Sequence, residues 1–227
     1  MSSSVVSTPQ PVRCVIFDCD GTLIDSEKLC IQAIHDVFAS HDVIIALSEI
    51  KNQFQGVKIH LIMDAYIRQY SQLEHLTVDD LIEQYRRRSF ELFETELQPI
   101  DGVYDVLENL TKRGIDVCIA SNAPIEKMQV TLPQTKLDHY FEGAVYSAYQ
   151  ANSWKPEAGL IEYVMKQRNV TAEECLFIDD SVVGVQAGVA ANVRTLYFVH
   201  DEQQSGGNMD HPLVTRIQTL KECLLYC

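Results

Sequence analysis

No stretch of the chain is apolar for long enough to span a bilayer, and residues 1–10, rich in Ser, Thr and Pro, lack the basic start and apolar core of an export signal. The expectation is a cytoplasmic protein with a frayed tail at residues 1–10. Basic residues are scarce, with 18 Lys and Arg against 32 Asp and Glu and a formal net charge of -14. Such a balance repels nucleic acid and anionic membranes, so neither is an expected partner. The one dense basic run, Arg86-Arg87-Arg88, stands among Glu83, Glu91 and Glu94 at helical spacing and reads as a solvated face with i,i+4 pairing. The seven cysteines are odd in number and show no Cys-x-x-Cys spacing, which leaves no zinc or disulfide framework. The seven histidines show no metal-ligand pattern, and internal repeats and low-complexity segments are absent.

What is present is enough apolar sequence, 46% of 227 residues, for one large domain or a core with a smaller insert. Strand-like runs at Val12 to Phe17, Val117 to Ala120, Gly143 to Ser147, Leu176 to Ile178 and Val193 to Phe198 alternate with helical patterns near Ile125, after Pro156 and from Ser181. That alternation predicts an α/β fold with a Rossmann-like parallel sheet. From about Ser26 to Gln98 no strand pattern occurs, while Leu61-Ile62, Ala65-Tyr66 and Leu73 recur at helical spacing. The chain therefore divides into a core at 11–25 and 99–227 and an inserted helical cap domain at 26–98. Pro99 and Gly102 punctuate the return to the core before a helix from Val103 to Lys112, which Gly114 caps. Asp201 to Asp210 reads as a loop before a last helix around Leu213 to Leu224.

The first strand ends in Asp18-Cys19-Asp20-Gly21-Thr22, two carboxylates one residue apart. Ligands of open α/β sheets gather beyond the carboxyl ends of the strands, so Asp18 and Asp20 are placed to line a site and share a metal ion. The same letters also spell an ordinary polar turn. Cys19 reads as a neighbour facing away from the ligand, its thiol pKa raised by the acids around it; Cys14, Cys118 and Cys175 read as small core residues.

Three later segments have the same character. Ala120-Ser121-Asn122-Ala123-Pro124 offers a hydroxyl and backbone N–H groups at a helix entrance, a phosphate anchor or a simple cap. Lys155 lies in Ser153-Trp154-Lys155-Pro156, held on a loop by the following proline, and reads either as surface charge or as a cation reaching inward. The strand Cys175 to Ile178 runs into Asp179-Asp180-Ser181, a second acidic pair, which without a cation would raise its own pKa values and so favours a divalent metal.

In this order, Phe17-Asp18-Cys19-Asp20-Gly21-Thr22-Leu23, Ala120-Ser121-Asn122, Trp154-Lys155-Pro156 and Ile178-Asp179-Asp180-Ser181 resemble the four motifs of the haloacid dehalogenase superfamily. The insertion after Asp25-Ser26-Glu27 resembles the helical cap of the β-phosphoglucomutase-like branch. Phe54-Gln55-Gly56-Val57-Lys58, Phe93 to Leu97 and Asp179 to Gly184 are similar to the bacterial 6-phosphogluconate phosphatase subgroup.

The resemblance implies strand order 5-4-1-2-3 and an Mg2+-dependent phosphatase, Mn2+ being an alternative ion, acting on a small phosphorylated metabolite such as 6-phosphogluconate. It implies Asp18 as nucleophile, Asp20 as acid and base, and Ser121, Asn122 and Lys155 as contacts to the transferring phosphoryl group. The metal would take Asp18, the Asp20 main chain and Asp180, with Asp179 as a further ligand or outer acceptor. Gly56 and Lys58 would meet the leaving group. A sugar-phosphate mutase shares this core; a non-catalytic phosphometabolite-binding protein and a phosphonatase using Lys58 are further alternatives. Asp20 disfavours a dehalogenase. A monomer is expected.

Overall fold

The computed structural model describes residues 11–54, 57–199 and 209–227. The readings made for the tail at 1–10, for Gly56 and for most of the loop from Asp201 lie outside these residues. At the centre stands β1 (Cys14–Phe17), whose residues are all buried. Val15 and Phe17 enter one apolar cluster and Cys14 and Ile16 the other, because successive side chains of a strand point to opposite faces. With helices over both faces, all four positions must be apolar, which is why the run does not alternate.

Around β1 the sheet is built from β2 (Asp116–Ser121), β3 (Val145–Ser147), β4 (Cys175–Asp179), β5 (Arg194–Phe198) and β6 (Val214–Ile217). The spatial order is β3-β2-β1-β4-β5-β6, and all pairs are parallel. The expected order 5-4-1-2-3 is borne out, with a sixth strand added beyond β5. That strand corrects the helix expected around Leu213 to Leu224. Val214-Thr215-Arg216-Ile217 contains three β-branched residues in four, which suits an edge strand paired from Thr195↔Val214 to Phe198↔Ile217; only Leu220–Leu225 is helical, as a 3-10 turn.

Helices α1 (Glu27–Ala39), α2 (Leu47–Phe54), α3 (Ile59–Gln69) and α4 (Val78–Glu96) follow β1 and pack on one another through an apolar cluster of their own that includes Phe38, Ile62, Met63 and Tyr66. The chain leaves and re-enters the sheet region at one point, where Asp25 N–H donates to Gln98 O at 2.9 Å and Ile100 N–H to Leu23 O at 2.9 Å. The triple arginine lies on α4. Its Arg88 pairs with Asp36 of α1 at 2.8 Å and with Glu91 at 3.0 Å, so the pairing joins two helices and an i,i+3 neighbour where i,i+4 pairs were expected.

The remaining helices are α5 (Val103–Lys112), α6 (Ile125–Gln134), the short α7 (Ala148–Ala151), α8 (Gly159–Arg168) and α9 (Val182–Ala190). The helix α5 has the expected bounds, and Gly114 follows it with φ 71, the left-handed conformation that closes a helix. None of the helices among the described residues is long and apolar enough to cross a membrane. All seven cysteines are free; Cys14, Cys118 and Cys175 are core residues, as read from the sequence.

Candidate active site

Three strand ends meet where β1 lies between β2 and β4. Asp18 is the first residue past β1 and Asp179 the last of β4, and the backbone joins them as Asp18 N–H donates to Ile178 O at 2.8 Å. Both side chains are buried. Lys155 reaches between them: its Nζ lies 2.5 Å from Asp18 Oδ1 and 2.8 Å from Asp179 Oδ2, with the Phe177 ring 5.1 Å away. The loop carrying Lys155 is fixed by Asn122, whose Oδ1 accepts from Lys155 N–H at 2.9 Å and whose Nδ2 donates to Lys155 O at 3.2 Å. The Asn122 side chain, expected among the ligand contacts, is engaged with the Lys155 backbone. Ser121 closes β2, buried, with its Oγ accepting from Ala123 N–H at 3.1 Å.

Asp179 is the most heavily bonded of the acids, with one donor on Oδ2 and two on Oδ1. Beyond Lys155 it receives Ser181 N–H at 2.9 Å and Ser181 Oγ–H at 2.7 Å, while the same hydroxyl caps α9 by accepting from Gly184 N–H at 3.0 Å. Among the described residues, Asp180 has only Thr22 Oγ1–H, at 3.2 Å, as a side-chain donor. Carboxylate oxygens of Asp18, Asp179 and Asp180 lie within 4.8 Å of one another, close enough to share one ion.

Asp20 has a different set of partners. Its Oδ1 receives Lys127 Nζ at 2.7 Å and the hydroxyl of Ser26. Lys127 projects from the first turn of α6, near Cys30 of α1 (Sγ at 3.8 Å) and the Phe93 ring of α4 (5.5 Å). Sequence reasoning passed over Lys127 and Ser26. One signal was available: a lysine in the first turn of a helix opposes the positive end of the helix dipole, so a buried one there needs a carboxylate partner.

The electrostatics follow from this packing. Burial, with Asp179 and Asp20 nearby, pushes the Asp18 carboxyl up to about 7 against the pull of Lys155. Burial and the charges of Asp179 and Asp18 raise Asp180 well above the usual carboxylate range. At Asp20, burial acts upward too, but Lys127 and Ser26 outweigh it and hold the carboxyl low. Cys19 is buried and its thiol raised by burial, Asp20 and Asp18, in line with the sequence reading.

Four carboxylates stand against two ammonium groups, so ionising all of them would leave two uncompensated negative charges, and the upward shifts of Asp18 and Asp180 reflect that deficit. An all-oxygen donor set with that deficit fits a hard divalent cation such as Mg2+ or Mn2+. Gly21 makes room for the acids: with φ +83, a Cβ there would stand 2.2 Å from Asp180 Oδ2. Of the remaining expected residues, Lys58 is exposed at the start of α3, its Nζ 5.2 Å from the centre of the Trp154 ring.

A doubly wound parallel sheet with paired acids and an inward lysine at its switch point defines an α/β protein with its ligand site at the carboxyl ends of the strands. The chain belongs to the haloacid dehalogenase-like hydrolase family, whose sequence profile matches residues 15–198. Along nearly its whole length it is similar to phosphatases. The 6-phosphogluconate phosphatase of Escherichia coli is 34% identical over 214 residues, 93% of this chain and 92% of that protein. Hexitol phosphatase B of the same organism is 29% identical over 201 residues, 88% and 89% of the two chains. A Thermotoga maritima structure assigned as a β-phosphoglucomutase superposes with a TM-score of 0.77 at 22% identity, covering 95% of this chain and 98% of its own. By class, the protein is a phosphoric monoester hydrolase.

Proposed function

We propose that the protein is an Mg2+-dependent phosphatase that hydrolyses a sugar or sugar-acid phosphate, of the kind represented by 6-phosphogluconate, through an aspartyl-phosphate on Asp18. The observation that carries this reading is Asp18 itself, a buried carboxylate at a strand tip, with a lysine 2.5 Å away and two further acids within ion-sharing distance.

In the first half, an Asp18 oxygen bonds to phosphorus as the ester P–O bond breaks, and the departing alkoxide takes the proton of Asp20. Asp20 must leave Lys127 and carry a proton to do this, and closing the site over a substrate supplies the occasion. In the second half, the Asp20 carboxylate removes a proton from water, whose oxygen attacks phosphorus, and Asp18 is released with inorganic phosphate. Lys155 and Ser121 offset the negative charge on the phosphoryl oxygens, and Asn122 acts by holding Lys155 in place. Asp18, Asp180 and the Asp20 carbonyl would hold the cation, with Asp179, already bonded to Lys155 and Ser181, bracing Lys155 from outside. The ion supplies positive charge to the phosphoryl oxygens when bound.

Residues 26–98 serve in this reading as a cap domain that excludes water and shapes the leaving-group pocket. The acidic chain, net charge -14, accords with a monomeric cytoplasmic enzyme acting on a small metabolite. The test is phosphate release from a panel of sugar phosphates with Mg2+ present. No release from any of them or from a generic aryl phosphate overturns hydrolysis, and dominant isomerisation of a hexose phosphate replaces it with a mutase.

A further inference from the structure

Trp154 is the one tryptophan of the chain and directly precedes Lys155. Its half-buried indole packs edge-on against the exposed ring of Tyr149, with centroids 5.4 Å apart. Lys58, from the helical segment, stands over it at 5.2 Å. The two lysines inside the site are each bonded to carboxylates, Lys155 to Asp18 and Asp179 and Lys127 to Asp20. Lys58 has no carboxylate within ion-pair distance among the described residues, so its charge is held by an aromatic face alone. A cation over an indole is attracted strongly enough to be placed and weakly enough to be given up to an anion.

We propose that Trp154 is a positioning residue for specificity: it holds Lys58 at the mouth of the site, ready for an anionic end of the leaving group, and so favours sugar-acid phosphates over neutral polyol phosphates. The inference rests on the phosphatase reading and deepens it. A free lysine tail loses rotamer freedom when it grips a ligand, and an ammonium already placed loses less. A carboxylate then gains a charge-assisted hydrogen bond, where a hydroxymethyl group gains an ordinary one.

Two matched probes isolate this difference: 6-phosphogluconate and sorbitol 6-phosphate differ only in carboxylate against hydroxymethyl at the end far from phosphorus. The readout is the ratio of their kcat/KM values. Trp154→Leu lowers that ratio about tenfold, mainly through KM for the acid. Trp154→Phe, which keeps an aromatic face, retains most of it. Lys58→Met lowers it at least as far, and adding Trp154→Leu to that variant changes it no further. A ratio within twofold of the parent in Trp154→Leu, or a further fall in the double variant, overturns the proposal.

Binding gives a second readout that needs no turnover and no Trp154 variant. In the Asp18→Asn protein, 6-phosphogluconate changes the emission of Trp154 at about tenfold lower concentration than sorbitol 6-phosphate; equal midpoints overturn the proposal. Hydrolysis of 4-nitrophenyl phosphate by the parent protein separates the two failures. If it proceeds while the ratio and the midpoints do not respond, the specificity inference falls and the phosphatase reading stands.

Discussion

Lys127 Nζ lies 2.7 Å from Asp20 Oδ1, a lysine from α6 bonded to the second acid of the opening motif. The same ammonium touches Cys30 and Phe93, from α1 and α4. One charge thus links the sheet, the helix beyond β2 and the inserted helices, and it fixes where the Asp20 carboxylate points. The orientation of Asp20 and the seating of the helical segment on the sheet are therefore coupled through one side chain.

Replacing Lys127 with Met leaves Asp20 with Ser26 as its remaining side-chain donor. Breaking a buried ion pair from one side costs about 3 kcal/mol, at the low end of its range here because Asp20 keeps some solvent access. Urea unfolding measures the loss, and turnover falls with it. A variant of parental stability and turnover would show that the contact matters to neither.

Asp18→Asn keeps the shape of the side chain and removes the attacking oxygen. Phosphate release falls by about 10³ or more, while the circular dichroism spectrum and unfolding temperature stay close to those of the parent. Retained turnover in that variant means that another group attacks phosphorus.

Cation binding depends on pH with a definite sign. Asp18, pushed up to about 7 by burial, binds its proton more tightly in the folded than in the unfolded chain, so the cation-free fold loses stability as pH rises from the usual carboxylate range toward 7. Mg2+ competes for the same oxygens and needs them deprotonated. Its addition therefore raises the unfolding temperature more at about pH 8 than at about pH 5. Equal shifts at both values would place the ion elsewhere.

Gly184, in the first turn of α9, sits against Asp179: a Cβ there would come within 1.8 Å of Asp179 Cγ. Asp179 cannot retreat without losing Lys155 and Ser181. Gly184→Ala accordingly destabilises the fold by about 1–3 kcal/mol and weakens the response to Mg2+. An unchanged denaturation midpoint would mean that helix and acid separate freely.

The parallel sheet was legible because burial on two faces forces unbroken apolar strands, as in Cys14-Val15-Ile16-Phe17, and the acids at their ends broke the pattern visibly. The four motif segments are those that the structure brings together. The edge strand β6 was misread as helix, since Leu213, Leu220 and Leu224 mimic helical spacing and an edge strand has no second buried face to mark it. Lys127 was passed over for a different reason. Nothing local distinguishes a lysine that serves a carboxylate 107 residues away, and only the helix-dipole argument at α6 hinted at it. Asn122 was noticed, but that its amide clamps the Lys155 backbone depends on a loop meeting that spacing along the chain does not encode.

The central place of β1 has a consequence for how activity is born. Its flanking strands come from far downstream, and Asp18 meets Lys155 only across 137 residues of intervening chain. Helices can condense early from local contacts, but a nascent or refolding chain has no hydrolytic centre until β4 has docked beside β1. During refolding, then, recovery of phosphate release should trail recovery of the helical signal, making turnover a clock for the long-range pairing of β1 with β4.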